Sequence, residues 1–216
     1  MSNFGVSRLR VVNPYEQSFR EARSAVGASA VLQGAEQYQS LAEAVADCSL
    51  VVGTTAAQNR DLKQSVVSLP AAGTEIRHHL AVGRVAILFG SEKRGLSNED
   101  FAHCHWLITI PACEAHPSMN LGQAVAVCLY ELSRSNAAAP PAMQHESATS
   151  GELEQITTTM FELLSTSSYV KPRSEAATLE KLRRLVHRLR LESADAELLL
   201  GMLRKIETAI KANRRG

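Results

Sequence analysis

The chain has 216 residues, of which 45% are hydrophobic, and a formal net charge of +1 at pH 7. This length allows one or two domains, the composition is typical of a globular protein with an apolar core, and no apolar run is long enough to span a bilayer. The first residues lack an apolar signal-peptide core and the four cysteines show no CxxC spacing, so we predict a reduced, cytoplasmic protein.

The first ninety residues alternate short apolar runs with amphipathic stretches. Residues 40–48 are typical of a helix, because Ser40 and Glu43 form a capping-box pattern at its start. Residues 84–90 are a continuous apolar run, which is typical of a strand buried on both faces of a parallel sheet. The other elements predicted here are strands at 8–14 and 49–55 and helices at 16–26 and 73–81.

The alternation continues to residue 134. A helix is predicted at 97–104, where Ser97 and Asp100 form a second capping box, and a second buried strand is predicted at 106–111. A long helix is predicted at 120–134. Its apolar stripe consists of Leu121, Val125, Cys128, Leu129 and Leu132. Strands that alternate with helices in this way predict an α/β fold with a parallel sheet.

The pattern changes after residue 134. Residues 135–151 are rich in Ala, Pro, Ser and Thr and predict a linker between residues 1–134 and a helical extension at 152–216. Three helices are predicted in the extension, at 152–166, 174–191 and 193–213. A helical unit of this size is small for independent stability, so we expect it to pack on the first domain or on a second copy of itself.

Charge is unevenly distributed along the chain. Residues 1–150 carry 11 basic and 13 acidic side chains, whereas residues 151–216 carry 12 and 9. Ten of those basic side chains and four of the acidic ones lie in residues 181–216. The asymmetry fits contact with a polyanion, although charge alone favours a solvated helix face.

Residues 87–100 contain two glycines at the spacing of a phosphate-binding loop. Gly90 and Gly95 match the pattern G-x-x-x-x-G-K-[ST], and Ser97 stands at its hydroxyl position. Leu96 replaces the lysine that would reach the phosphates of a nucleoside triphosphate. We therefore do not expect a nucleotide hydrolase, and we interpret the loop as one that grips a ligand through its backbone groups.

Small and polar residues follow three apolar runs, at 53–56, 90–92 and 117–120. The carboxyl ends of parallel strands meet at one edge of a sheet, where open α/β sheets bind ligands. The three segments therefore predict one binding crevice. Ser118 and Asn120 are also ordinary residues for the start of a helix, so a purely structural role stays open for them.

The segments VVGTTA, LFGSEKRGLSNED and ITIPACEAHPSMNLGQAVAVCLYEL together closely resemble the SPOUT class of S-adenosylmethionine-dependent RNA methyltransferases. Within that class they are similar to the TrmH/TrmJ branch, which methylates ribose 2′-hydroxyls. The tail LEKLRRLVHRLRLESADAELLLGMLRKIE resembles the helical extension of members that act on tRNA at position 32 of the anticodon loop. The resemblance implies a parallel sheet with a C-terminal trefoil knot, which is a rare topology, and a homodimer.

The resemblance also implies an S-adenosylmethionine site at the three predicted strand ends. Gly90 would lie under the adenosine, and Ile110 would offer backbone groups to the adenine. The full set of cofactor-binding residues that it implies is Thr54, Thr55, Ala56, Gly90, Ile110, Pro117, Ser118 and Met119.

Three residues match the catalytic positions of the family. Glu92 would help to order the site at the subunit interface. Ser118 and Asn120 would position and polarise the 2′-hydroxyl, which must be aligned with the methyl group and relieved of its proton. The resemblance implies no metal, because the sulfonium is already an activated leaving group.

Six basic residues are predicted to contact RNA. Arg60, Lys93 and Arg94 flank the proposed site, where ordinary surface charge is the alternative. Arg183, Arg184 and Arg188 belong to the basic cluster of the tail, for which the resemblance favours contact with tRNA.

The chain departs from the family pattern in one respect. The family's catalytic arginine precedes a segment like Asn3-Phe4-Gly5, so its role cannot be carried onto the later Arg8, Arg10, Arg20 or Arg23. We expect that the sequence begins downstream of that motif. A paralogue that binds RNA without methylating it is an open alternative, and so is an enzyme that methylates ribosomal RNA.

The segment 103–116 contains residue types that bind zinc. They are His103, Cys104, His105, Cys113 and His116. Their spacing fits no usual zinc finger and a predicted buried strand separates them, so we predict no metal site.

Overall fold

The computed structural model describes residues 1–13, 29–56, 62–113, 115–116, 118–134 and 146–213. Its strands are β1 (Arg10–Val12), β2 (Glu36–Tyr38), β3 (Leu50–Thr54), β4 (Val66–Ser68), β5 (Val85–Leu88) and β6 (Trp106–Thr109). Its α-helices are α1 (Ser29–Gln33), α2 (Leu41–Val45), α3 (Leu69–Val82), α4 (Asn98–Ala102), α5 (Leu121–Ser133), α6 (Ser150–Thr166), α7 (Glu175–Arg188) and α8 (Ser193–Asn213). All pairings between these strands are parallel, so the predicted α/β fold is confirmed.

Four strands form the central sheet in the order β4-β6-β3-β5. Within β3, Leu50 and Val52 pack with residues of α3 and α5, whereas Val51 packs with residues of α2 and α4. Successive side chains of a strand point to opposite faces, so both faces of the sheet are covered by helices. The result is a three-layer α/β arrangement with one apolar core on each side of the sheet.

The strand β5 lies at one edge of this sheet, and all four of its residues are only half-buried. The prediction that residues 84–90 form a strand covered on both faces is confirmed in part. Val85 and Ile87 pack on one core and Ala86 and Leu88 on the other, but the edge position leaves them half-buried. The same prediction for residues 106–111 is confirmed in β6, where Trp106, Leu107 and Ile108 are buried. An apolar run indicates a strand in both cases, but the order of strands in the sheet decides which of them is enclosed.

A second, two-stranded sheet is formed by β1 and β2. Its Arg10 donates two hydrogen bonds to the carboxylate of Asp47 beyond α2, at 2.5 and 2.7 Å. Arg84, which precedes β5, donates to the same carboxylate at 2.5 Å. These hydrogen bonds hold the pKa of Asp47 well below its usual range, and the carboxylate links the two sheets.

The three C-terminal helices pack around a core of Leu153, Ile156, Val186, Ala196 and Leu200. The three helices predicted in this region are confirmed, although α6 begins at Ser150, inside the predicted linker. Thr149 caps α6 and forms a capping box with Glu152.

The helical unit docks on the α/β part through backbone hydrogen bonds. The N–H of Ser150 donates to the carbonyl of Cys48 at 2.8 Å, and the N–H of Gly151 donates to the carbonyl of Ala46 at 2.9 Å. The unpaired N–H groups at the start of α6 thus satisfy the unpaired carbonyls at the end of α2. A Cβ at residue 151 would lie 2.9 Å from that carbonyl oxygen, so this approach requires glycine.

Most of the other predicted helices are found in the structure. The capping box of Ser97 and Asp100 is found at the start of α4, and the helices at 40–48, 73–81 and 120–134 correspond to α2, α3 and α5. At α2 the structure shows the half of the predicted box in which the Ser40 side chain accepts from the N–H of Glu43. The short elements α1, β2 and β4 were not predicted. The predicted helix at 16–26 and most of the predicted linker, residues 135–145, lie outside the described residues, and the division into domains at 134 and 152 stays a prediction. None of the described helices is long and apolar enough to cross a lipid bilayer.

Candidate active site

The ends of β3, β5 and β6 lie side by side at the carboxyl edge of the central sheet. The hydroxyl of Thr54 donates to the carbonyl of Leu88 at 2.8 Å, and the N–H of Thr55 donates to the carbonyl of Ile108 at 2.9 Å. Two consecutive residues therefore tie β3 to both of its neighbours at the level where the strands end. The structure thus brings together the ends of β3, β5 and β6, of which the first two lead into the segments 53–56 and 90–92 that the sequence indicated. That the third segment, 117–120, reaches the same crevice stays a prediction.

The loop after β5 folds back on itself. The N–H of Gly95, which has a φ of +67°, donates to the carbonyl of Ser91 at 2.8 Å. A Cβ at Gly90 would lie 2.0 Å from the carbonyl carbon of Gly95 and 2.2 Å from the nitrogen of Leu96. The loop can close in this way only because residue 90 has no side chain.

Asn120 is the N-cap of α5. Its Oδ1 accepts hydrogen bonds from the backbone N–H of Gly122 at 2.9 Å and from that of Gln123 at 3.4 Å. The structural role that the sequence left open for Asn120 is therefore real. Because the carbonyl oxygen of the amide is occupied, its NH₂ group is what remains for a ligand.

The remaining predicted residues of the site are placed as follows. Glu92, Ala56, Ser118 and Met119 are exposed, and Ile110 is half-buried against the core under α3 and α5. Pro117 and Arg60 lie outside the described residues.

The residues predicted to contact RNA fall into different environments. Lys93, Arg94 and Arg188 are exposed, and the first two belong to the glycine loop. Arg183 is buried, and its Nε and Nη2 donate to the two carboxylate oxygens of Glu154, both at 2.7 Å. This ion pair joins α7 to α6, so the geometry gives Arg183 a structural role.

Arg184 differs from its neighbour Arg183. Its side chain is 11% exposed and forms an ion pair with Glu180 at 3.2 Å, one turn earlier on α7. Sequence reasoning grouped the two arginines together, because nothing in the local sequence tells which of them meets a partner on another helix.

The histidines and cysteines around β6 are mostly enclosed. Burial lowers the pKa of His103 and of His105 to about 4 and raises the pKa of the Cys104 thiol. Nδ1 of His105 accepts a hydrogen bond from the N–H of Val51 at 3.1 Å. Among the described residues, no group of three His, Cys, Asp or Glu side chains is arranged to hold a metal ion.

Comparison with known proteins adds an independent line of observation. The model of a family described as the SpoU rRNA methylase family matches residues 1–130. A Yersinia enterocolitica protein named tRNA (cytidine/uridine-2′-O-)-methyltransferase TrmJ is 34% identical, over 100% of this chain and 87% of the relative. The Klebsiella pneumoniae protein of the same name is 34% identical, over 96% of this chain and 88% of the relative.

The chain is also similar to solved structures of methylase proteins. The crystal structure of TrmJ from Z. mobilis matches with a TM-score of 0.84 and 32% identity, over 96% of this chain and 90% of that chain. A probable methylase family protein from Haemophilus influenzae matches with a TM-score of 0.55 and 29% identity, over 98% of this chain and 89% of that chain.

Proposed function

The chain belongs to the SpoU rRNA methylase family, and from that premise we propose that it is a tRNA ribose 2′-O-methyltransferase. The observation that carries the proposal is the end-to-end alignment with relatives named for this activity, which includes the helical unit as well as the α/β part. This extent favours tRNA over the ribosomal RNA of the family description. The proposed target is cytidine or uridine at position 32 of the anticodon loop.

The proposed cofactor is S-adenosylmethionine, which when bound supplies a methyl group on a sulfonium. The carboxyl edge of the central sheet fits such a ligand. Ile110 offers apolar surface and backbone groups to a flat heterocycle, and Gly90 lets the loop after β5 close beside it. The residues that would hold the cofactor are Thr54, Thr55, Ala56, Gly90, Ile110, Pro117, Ser118 and Met119.

Asn120 and Ser118 are proposed to orient the ribose. The cap at the start of α5 occupies Oδ1 of Asn120, so its NH₂ group can donate a hydrogen bond to a ribose oxygen. A neutral carboxamide is also too weak a base to accept the proton of the 2′-hydroxyl. Asn120 therefore aligns the nucleophile and is not the general base. The exposed hydroxyl of Ser118, two residues earlier, would share this positioning role.

A homodimer with the family's trefoil knot is proposed from the same premise. Glu92 is exposed in the single chain, as expected for a carboxylate that orders the site from a subunit interface. Large apolar side chains at and before α5 are also exposed, namely Met119, Val127 and Tyr130. A second copy of the chain would cover them.

The experiment that tests the proposed function is transfer of labelled methyl from S-adenosylmethionine to unmodified bulk tRNA, with ribosomal RNA as the competing substrate. We expect label in tRNA, in a dinucleotide that resists alkaline hydrolysis because its 2′-oxygen is blocked. Label in ribosomal RNA alone would move the substrate to that class. A folded chain that binds tRNA and transfers no methyl would overturn the enzymatic proposal and leave an RNA-binding homologue.

A further inference from the structure

A polar crevice lies between the α/β part and α7, apart from the three strand ends. Lys63 and Gln64 before β4 form one side, Asn98 of α4 forms another, and Glu180 and Arg184 of α7 form the third. The enclosed part of the crevice has a volume of about 40 Å³, and its mouth is open to solvent. Gln64 is buried, and its Nε2 donates to the carbonyl of Phe101 at 2.5 Å, which fixes the floor.

Arg184 is the unusual group in this crevice. Its side chain is largely buried, yet within the described part of the chain Glu180 is its one ion-pair partner, through a single contact of 3.2 Å. A guanidinium carries five N–H donors in a planar fork, so most of its hydrogen-bonding capacity is left over. The neighbouring Arg183, by contrast, donates two hydrogen bonds to the carboxylate of Glu154.

The charges around the crevice do not cancel. Lys63 and Arg184 contribute two positive charges and Glu180 contributes one negative charge. The net positive charge is carried in part by the Arg184 guanidinium, which is partly desolvated. A charge-assisted hydrogen bond to it is stronger there than in open solvent. A group with several acceptor oxygens on one centre satisfies such a fork better than a single carboxylate does.

We propose that this crevice binds a backbone phosphate of the RNA substrate, so that α7 and the α/β part hold the RNA jointly. The inference rests on the proposed function for the identity of the polyanion. Position supports it, because Asn98, which lines the crevice, follows Arg94 of the glycine loop by four residues, and four residues of chain span at most about 14 Å. A phosphate contact here fixes the orientation of the RNA and carries no sequence information.

Glu180 has a defined part in this arrangement. It holds Arg184 in place when RNA is absent and competes with the phosphate when RNA arrives. Removal of the arginine and removal of the glutamate should therefore change RNA affinity in opposite directions. A purely structural ion pair would make both substitutions harmful.

The test is equilibrium binding of unmodified tRNA, without cofactor, over a series of salt concentrations. We expect Arg184→Gln and Lys63→Gln each to weaken binding several-fold and to reduce the slope of log K against log salt by about one. Glu180→Gln should tighten binding about two- to three-fold. Lys171→Gln, at an exposed lysine outside the basic segment 181–216, is the matched control and should bind as the parent chain does.

Three results would overturn the proposal. They are weaker binding by both Arg184→Gln and Glu180→Gln, parental affinity for all the crevice variants, or weaker binding with an unchanged salt slope. If Arg184→Gln fails to fold, Lys63→Gln and Glu180→Gln decide the matter, because Lys63 is exposed and Glu180→Gln is nearly isosteric. A chain that binds tRNA in this way without methylating it would overturn the proposed function and leave the crevice intact.

Discussion

The imidazole rings of His105 and His187 pack edge to face, with their centroids 4.6 Å apart, where α7 meets the amino end of β6. Burial lowers the pKa of His105 to about 4 and that of His187 to about 2. Nδ1 of His187 is buried and has no hydrogen-bond partner among the described residues. Neither ring can take up a proton without disturbing the contact between the two parts of the chain.

This contact predicts an acid-sensitive stability. Above the unfolded pKa of about 6.5 both states are neutral and the histidines contribute no pH dependence. As pH falls below 6.5, the two histidines bind protons in the unfolded state but not in the folded state. The free energy of unfolding therefore decreases until the pH reaches the pKa of each histidine in the folded state. Each histidine should lower the free energy of unfolding by about 2 kcal/mol between pH 6 and pH 4.5.

The measurement is urea unfolding at several pH values for the parent chain and for His187→Phe. The variant keeps an aromatic ring at the contact and should show a shallower loss of stability below pH 6.5. His116→Phe, at an exposed position, serves as the control and should keep the parental slope. Equal slopes for the parent chain and His187→Phe would show that this ring is not the acid-sensitive group.

The ion pair between Arg183 and Glu154 should be important for stability. Arg183→Met removes the cation and leaves the Glu154 carboxylate, whose side chain is 25% exposed, without its partner. Breaking a buried ion pair from one side costs about 3 kcal/mol or more, and we expect a loss of this order in chemical denaturation. Arg188→Met on the exposed side of α7 should change stability by less than about 0.5 kcal/mol. Similar losses in both variants would mean that α7 is sensitive to any lost charge.

Gly90→Ala should abolish the closed form of the loop after β5. The new Cβ would lie 2.0 Å from a backbone carbon of Gly95, and backbone cannot yield as a flexible side chain can. We expect methyl transfer to fall at least tenfold, with weaker binding of S-adenosylmethionine by calorimetry.

Gly201→Ala is the matched control for that substitution. Apart from the backbone of its own helix turn, no atom of the described residues lies within 4 Å of a Cβ at residue 201, which is exposed in the interior of α8. The change should stabilise the chain by about 0.5–1 kcal/mol through helix propensity and leave methyl transfer unchanged. Parental activity in Gly90→Ala would contradict the assignment of the loop to the cofactor.

Asn120 has two functions that substitution can separate. Asn120→Asp keeps an oxygen that caps α5 but removes the NH₂ donor, so it should fold like the parent chain and lose methyl transfer. Asn120→Ala removes both and should in addition lose about 1 kcal/mol of stability. The comparison is made by thermal unfolding and by the labelled-methyl assay. Full activity in Asn120→Asp would rule out donation from the amide.

Some features could be predicted because they depend on neighbours in the sequence. The capping box of Ser97 and Asp100 joins residues three apart, and the structure contains both of its hydrogen bonds. The glycines Gly90 and Gly95 likewise predicted a tight loop, because the contact between them also depends on residues close in sequence. The motifs around them also indicated the family, since they are short segments that can be compared without knowing the fold.

The sequence by itself therefore determined the α/β class, most of the longer helices, the strand ends that form the candidate site and the family. The tertiary structure alone decided the functions of residues that look alike in sequence. Arg183 and Arg184 are adjacent, but Arg183 reaches Glu154, 29 positions away on α6, whereas Arg184 turns toward the crevice. Likewise β5 and β6 are similar apolar runs, yet among the described strands β6 has a neighbour on each side and β5 has one neighbour. Burial and pairing depend on segments that the chain brings together only on folding, whereas caps and turns depend on hydrogen bonds within a few residues.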